Sequence, residues 1–176
     1  MPPAIRIYGR IGPECVSAAY VKDWIETFRS VGVSSCLLQI DSPGGDADHA
    51  IYICNALTEC DIEMTAIVEG ECVSGATVIA MGCSTILARP NATFQLHDIH
   101  VSMGEAAASI DDLQAQAKFM GQLREVIVGI YEARTGLPKA RISQLMREER
   151  TWSAAEAVQR GFVDGILRYD EPFPGE

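Results

Sequence analysis

Short, almost wholly apolar runs alternate with stretches of helical periodicity through the first hundred residues. That alternation narrows the fold more than any other feature of the chain. IRIYG (5–9), CLLQID (36–41) and MTAIVEG (64–70) have the length of strands, and continuous apolar runs of that length suit strands covered on both faces. Between them, AAYVKDWIETFRSV (18–31) and DADHAIYICNALTEC (46–60) carry apolar residues at the 3.6-residue spacing of amphipathic helices. Asp46 or Asp48 suits the first turn of the second helix. STILA (84–88) and TFQLH (93–97) read as short strands parted by the turn Arg89-Pro90-Asn91. Strand and helix in this order predict an α/β fold with mainly parallel pairing.

From Ser109 to Arg134 the pattern becomes one long helix with Leu113, Ala117, Met120, Leu123, Ile127 and Ile130 on one stripe. Ser109 with Asp111 and Asp112 forms an entry signal, and Gly136 and Pro138 end the helix. On pattern alone it is either an oligomer contact or an ordinary packed helix. No linker or composition shift divides the 176 residues, so one domain spanning 1–176 is expected.

Composition then excludes several classes of function. A formal charge of −10 argues against nucleic acid and anionic membrane as partners, both of which select for clustered Lys and Arg. The six cysteines are scattered without CxxC pairs or histidine spacing, which implies neither a zinc site nor any other metal and points to a reducing, cytoplasmic setting. No run reaches the length of a membrane span or a signal peptide.

The stretch EGECVSGATVIAMGC (69–83) reads as a buried strand entering a buried helix, with Ser74 at the joint. A serine there is either the cap of the helix or a nucleophile presented beside free backbone N–H groups. Gly75 would give a substrate carbonyl room to approach. Upstream, SPGG (42–45) is either a plain turn or a nest of N–H groups for an anion. Three histidines are available as a base. His49 lies within a helix, His97 ends the strand pattern of TFQLH, and His100 follows in HDIHV.

These pieces, taken in order, resemble the proteolytic subunit of Clp protease. The matching segments are DSPGGD, GECVSGA, PNATFQLH and TWSAAEAVQRGFVDGIL (151–167), so the likeness runs over residues 5 to 167. The resemblance implies the repeated ββα superhelix shared with crotonases, bearing a protruding handle helix at about 109–134. It implies a serine endopeptidase without cofactor, in which Ser74 is the nucleophile, His97 the base, and the N–H groups of Gly45 and Gly75 the oxyanion hole. The acid of the triad matches Glu149, where the family has Asp, with Glu148 as a rival and Asp98 badly placed to face the ring. The substrate would be a peptide or protein, cut inside a homo-oligomeric chamber of one or two heptameric rings.

With the first strand starting by about Ile5, no residues are left for axial loops, which argues against docking of an ATP-driven unfoldase. Compact members of this kind resemble peptidases of phages and prophages that act in capsid maturation. Three other readings compete. One is a Ser-Lys dyad of the signal-peptide-peptidase type using Lys22, Lys118 or Lys139. The others are a crotonase-like acyl-CoA enzyme and a catalytically silent ring subunit.

Overall fold

The computed structural model describes residues 2–100 and 109–175, so the extreme ends of the expected domain and residues 101–108 lie outside the described residues. Strands β1 (Ala4–Tyr8), β2 (Ser35–Ser42), β3 (Glu63–Val73), β4 (Thr85–Ala88) and β7 (Gly165–Ile166) form a parallel sheet in that order. This is the α/β fold with parallel pairing that the alternating runs predict. β3 is longer than its apolar run. Over its last three residues the neighbour on one edge changes from β4 to β5 (Thr93–Gln95), which pairs in parallel with β3 and antiparallel with β6 (Thr151–Ser153) on its other side, while Cys72 still pairs with Ser42 of β2.

Alternation along each strand sorts the side chains onto two faces. Cys36, Leu38 and Ile40 of β2 join Met64, Ala66 and Val68 of β3 in the main core. Against that face pack α1 (Ala18–Ser30), α2 (Ala47–Glu59) and α3 (Gly75–Ala80). Leu37 and Ile67 point the other way, into a smaller cluster with Leu167 that Phe173 of the carboxy-terminal segment covers. The two long helices are capped by the residues their sequences offer. Ser17 accepts from the Tyr20 N–H, and Asp46 from the N–H groups of Asp48 and His49.

The long helix α4 (Ile110–Thr135) opens on a reciprocal capping box between Ser109 and Asp112 and closes at Gly136 in the left-handed conformation. At 26 residues it is about 39 Å long. Only Ile127, Val128 and Tyr131, near its end, are buried. The apolar stripe anticipated along it is therefore covered only over its last turns, and Leu113, Phe119 and Val126 face outward. A tight return brings α5 (Lys139–Glu148) back against it, followed by β6 and α6 (Ala154–Gln159). The aromatic group Tyr131, Trp152 and Phe162 ties α4, β6 and the segment after α6 to one another, with ring centroids 5.3–5.5 Å apart.

Candidate active site

Ser74 occupies the single-residue joint between β3 and α3, with φ 56° and ψ −124°. A residue with a Cβ pays about 1–3 kcal/mol to sit in such a region. The strain is held by its neighbours. The Ser74 N–H donates to the Gln95 carbonyl at 2.9 Å, and the Ser74 carbonyl accepts from the Thr77 N–H at 3.0 Å. The Ser74 hydroxyl makes no capping bond to α3. Of the two roles open to this serine from the sequence, that of helix cap is therefore not the one the structure shows.

The SPGG turn lies directly beneath this joint. Buried Ser42 donates to the Gly9 carbonyl at 2.6 Å and accepts from the Gly44 N–H at 3.1 Å, folding the turn on itself. Ile11, in the loop after β1, clamps it from outside. The Ile11 N–H donates to the Gly44 carbonyl, and the Asp46 N–H donates to the Ile11 carbonyl. Because the flanking peptide groups are spent on Ile11, the Gly45 N–H of this extended segment is turned to the opposite side, where Gly45 lines a cleft with Ser74. The N–H of Gly75, the first residue of α3, has no acceptor within its helix. A Cβ built on Gly75 would stand 3.6 Å from the Gly45 nitrogen, so the two N–H groups are neighbours.

Neither glycine of the turn has room for a side chain. A Cβ at Gly45 would meet the Ile11 carbonyl oxygen at 2.1 Å, and one at Gly44 the Ser74 Cβ at 2.7 Å. Gly44 contributes no donor to the cleft but sets how closely the turn approaches the serine. In the sequence both glycines of SPGG read as parts of a candidate N–H nest, and the close approach of Gly44 to the serine is not legible there. The doubled glycine was the available signal.

The cleft has a volume of about 530 Å3. Ser74, Gly45, Gly75, His97 and His100 line it, together with apolar residues that include Val78, Leu123 and Ile127. His49 is not among the lining residues. It is tied down inside the fold, with its Nδ1 accepting from the Ala18 N–H at 3.1 Å.

His97 Nδ1 lies 2.5 Å from the carbonyl oxygen of Asp98. A carbonyl can only accept, so Nδ1 carries the proton and Nε2 is left as the basic nitrogen. The Asp98 carboxylate turns away from the ring and pairs with Arg124 of α4 at 2.5 Å, while Arg124 also donates to Ser143 of α5. The loop bearing the histidine is thus fastened to both helices. Among the described residues, the Ser74 hydroxyl and His97 Nε2 share a cleft without a hydrogen bond between them.

Glu149 ends α5 with φ 47° and projects its carboxylate 3.4 Å from Nε2 of His100, not to His97. The His100 ring in turn stacks on the His97 ring, with centroids 5.0 Å apart and planes 6° from parallel. The carboxylate therefore stands one imidazole removed from the proposed base. Gln95 Nε2 donates to the Glu149 carbonyl at 2.9 Å and fixes that residue against β5. Glu148 pairs instead with Arg141. None of Lys22, Lys118 and Lys139, all among the described residues, lines the cleft. Lys139 pairs with Glu132.

Cys15 lines the cleft and is exposed, whereas Cys36, Cys54, Cys72 and Cys83 are buried in the core. Burial pushes the thiols of Cys36 and Cys54 up to about 11, and those of Cys72 and Cys83 rise further for the same reason. All four behave as small hydrophobic groups. Among the described residues no cluster of three or more metal-ligating side chains occurs, and no helix is long and apolar enough to cross a membrane.

Comparison with known proteins places the chain among relatives. The family model described as Clp protease matches residues 32–170. A Clp protease proteolytic subunit 1 from Mycobacterium bovis is 33% identical over 134 residues, covering 74% of this chain and 64% of the relative. The proteolytic subunit from Deinococcus radiodurans is 26% identical, over 74% of this chain and 63% of its own length. The chloroplastic proteolytic subunit 6 of Arabidopsis thaliana is also 26% identical, but the match covers 49% of it. The matches thus span about half to two thirds of the length of these relatives. A mutant of ClpP1 from Listeria monocytogenes superposes with a TM-score of 0.84 over 95% of this chain and 92% of that one, at 20% identity.

Proposed function

Because this chain belongs to the Clp protease family, we propose that it is a serine endopeptidase whose reaction is carried by Ser74 and His97 over the N–H groups of Gly45 and Gly75. The observation that carries the reading is the strained joint at Ser74. Its φ of 56° is maintained although its hydroxyl caps nothing, and the two glycine N–H groups lie beside it. Strain of this kind is retained where a side chain must be aimed.

In the proposed reaction His97 Nε2 takes the Ser74 proton as the oxygen attacks the scissile carbonyl. The oxyanion is received by Gly45 and Gly75, and the proton then passes from His97 to the leaving amine. Water, activated by the same nitrogen, releases the acyl group. The Asp98 carbonyl sets the tautomer that this sequence of steps requires. Glu149 supplies negative charge to the imidazolium from beyond His100, as the acidic member of the group.

The apolar lining of the cleft, which includes Val78, Leu123 and Ile127, suits a peptide substrate with an apolar side chain. Assembly of several copies into a ring chamber is part of the proposal, supported by the outward-facing Leu113 and Phe119 on the uncovered first half of α4 and Val126 beyond it. The placement of the lysines away from the cleft does not favour a Ser-Lys dyad.

The test is covalent. A fluorophosphonate added to the purified protein is expected to form one adduct, located by mass spectrometry at Ser74, absent in Ser74→Ala and strongly slowed in His97→Ala. A folded protein that takes no label would overturn the reading in favour of a silent subunit. The acid is tested separately. Glu149→Gln is expected to slow labelling by about tenfold, with His100→Ala giving a similar loss because it removes the ring between the carboxylate and His97. A His100→Ala protein that labels at the unaltered rate would remove His100 from this arrangement.

A further inference from the structure

Besides Ser42 of the SPGG turn, two hydroxyls lie buried beneath Ser74 among apolar side chains. Thr77 is 1% exposed and Tyr131 2% exposed, and their oxygens are 2.7 Å apart although 54 residues separate them in sequence. The direction of the bonds follows from counting protons. Thr77 Oγ1 stands 2.5 Å from the Ser74 carbonyl oxygen, which can only accept, so the single threonine proton goes there. Tyr131 must then donate to Thr77 Oγ1. Burial pushes the Tyr131 phenol well above its ordinary range, which keeps it a donor. The chain of bonds therefore runs in one sense, from α4 through α3 to the backbone of Ser74.

The end point of that chain matters because of what shares its peptide plane. The carbonyl of Ser74 and the N–H of Gly75 belong to one peptide group, rigid and planar, with the two bonds pointing in opposite directions. Holding the carbonyl down onto Thr77 therefore aims the Gly75 N–H upward. The other side of Ser74 is held independently, by its N–H on the Gln95 carbonyl.

We propose that Thr77 and Tyr131 are positioning residues for the reaction, which pin the Ser74–Gly75 peptide so that the Gly75 N–H meets the oxyanion. The inference rests on the peptidase reading above and deepens it. It makes the buried end of α4 a support for the chemistry, alongside whatever its exposed half contacts. Neither hydroxyl reaches the substrate. Their effect is on the transition state, where the oxyanion exists, and not on the binding of the uncharged carbonyl.

Kinetics on a fluorogenic peptide, with fluorophosphonate labelling rates beside them, separate this from a plain core role. Thr77→Val keeps the volume and removes both bonds. It is expected to lower kcat by about tenfold with KM changed less than about twofold. Thr77→Ser, which keeps the hydroxyl, is expected to retain kcat within about twofold, and Tyr131→Phe to lose about three- to fivefold. The double variant Thr77→Val/Tyr131→Phe is expected to match Thr77→Val alone, since Tyr131 acts only through Thr77.

Unchanged kcat in Thr77→Val, a loss appearing in KM, or losses that multiply in the double variant would each overturn the inference. Thermal unfolding of every variant identifies any that merely fails to fold, and Thr77→Ser and Tyr131→Phe then decide the matter alone. If the unaltered protein takes no label at Ser74, the peptidase reading falls and this inference falls with it. Label at Ser74 with unchanged rates in the variants sinks only the inference.

Discussion

Ser74→Gly is expected to abolish peptide hydrolysis, by about 10⁶-fold, and yet to yield a protein more stable than Ser74→Ala. Both variants lack the hydroxyl proposed as nucleophile, so they separate only by their backbones. At most positions glycine is the less stable of the two, because it gives the unfolded chain more freedom. Here φ is 56° and ψ −124°, a region open to glycine and strained for any residue with a Cβ. Relief of that strain outweighs the entropic term, and Gly is expected to exceed Ala by about 1 kcal/mol in urea unfolding. A Ser74→Ala protein at least as stable as Ser74→Gly would show that no strain is stored at the joint.

The second large effect is expected at a residue that takes no part in the chemistry. A methyl at Gly44 would stand 2.5 Å from the Val73 carbonyl oxygen, 2.7 Å from the Ser74 Cβ and 2.9 Å from the Gly75 nitrogen. All three belong to the backbone or stem of the joint at Ser74, and no flexible side chain can give way. The residue also sits at φ 86°. Gly44→Ala is therefore expected to displace Ser74 and the Gly75 N–H, the proposed nucleophile and oxyanion donor, together, lowering kcat by about 10²–10³-fold. Stability is expected to fall by about 2–3 kcal/mol. Gly9→Ala provides the comparison, because Gly9 has φ 75° but nothing within 4 Å of an added Cβ. It should lose about 1 kcal/mol and keep its activity. Equal activities for the two variants would show that the close approach at Gly44 is unimportant.

The strands and first helices were legible because burial imposes a simple pattern on them. CLLQID became the centre of an eight-residue strand, and DADHAIYICNALTEC became α2 with Asp46 as its cap. The capping signal at Ser109 and the stop at Gly136 set the limits of the long helix within a residue. The extension of β3 to Val73 was less legible. Its last residues, Glu71 to Val73, pair on one edge with a different strand from the rest, and partner choice leaves no local mark. The antiparallel pairing of β5 with β6 went unforeseen for the same reason.

At the site, order along the chain indicated which segments would matter, and the structure brings Ser74, His97, Gly45 and Gly75 to one cleft. Contact between side chains was not legible. No spacing rule places Glu149 against His100, or sets the Asp98 carbonyl on His97 Nδ1 while the Asp98 carboxylate goes to Arg124. Thr77 and Tyr131 read as one polar residue in an apolar helix and one aromatic on a long one. Their meeting depends on how α4 crosses α3.

The three-residue strand β5 has a consequence for how a chain of this kind can change length. Val73 pairs with Gln95 on one side, and Gln95 pairs with Thr151 on the other. The serine lies one position beyond the first of these, the histidine two beyond the second, and the glutamate two before the third. The triplet works as a jig on which three distant stretches are lined up. Residues gained or lost in the loops between those stretches, outside the helices and strands, are expected to leave the alignment in place. A single insertion or deletion within Thr93–Gln95 would instead reverse which faces meet, so tolerance of length variation should stop abruptly at its two ends.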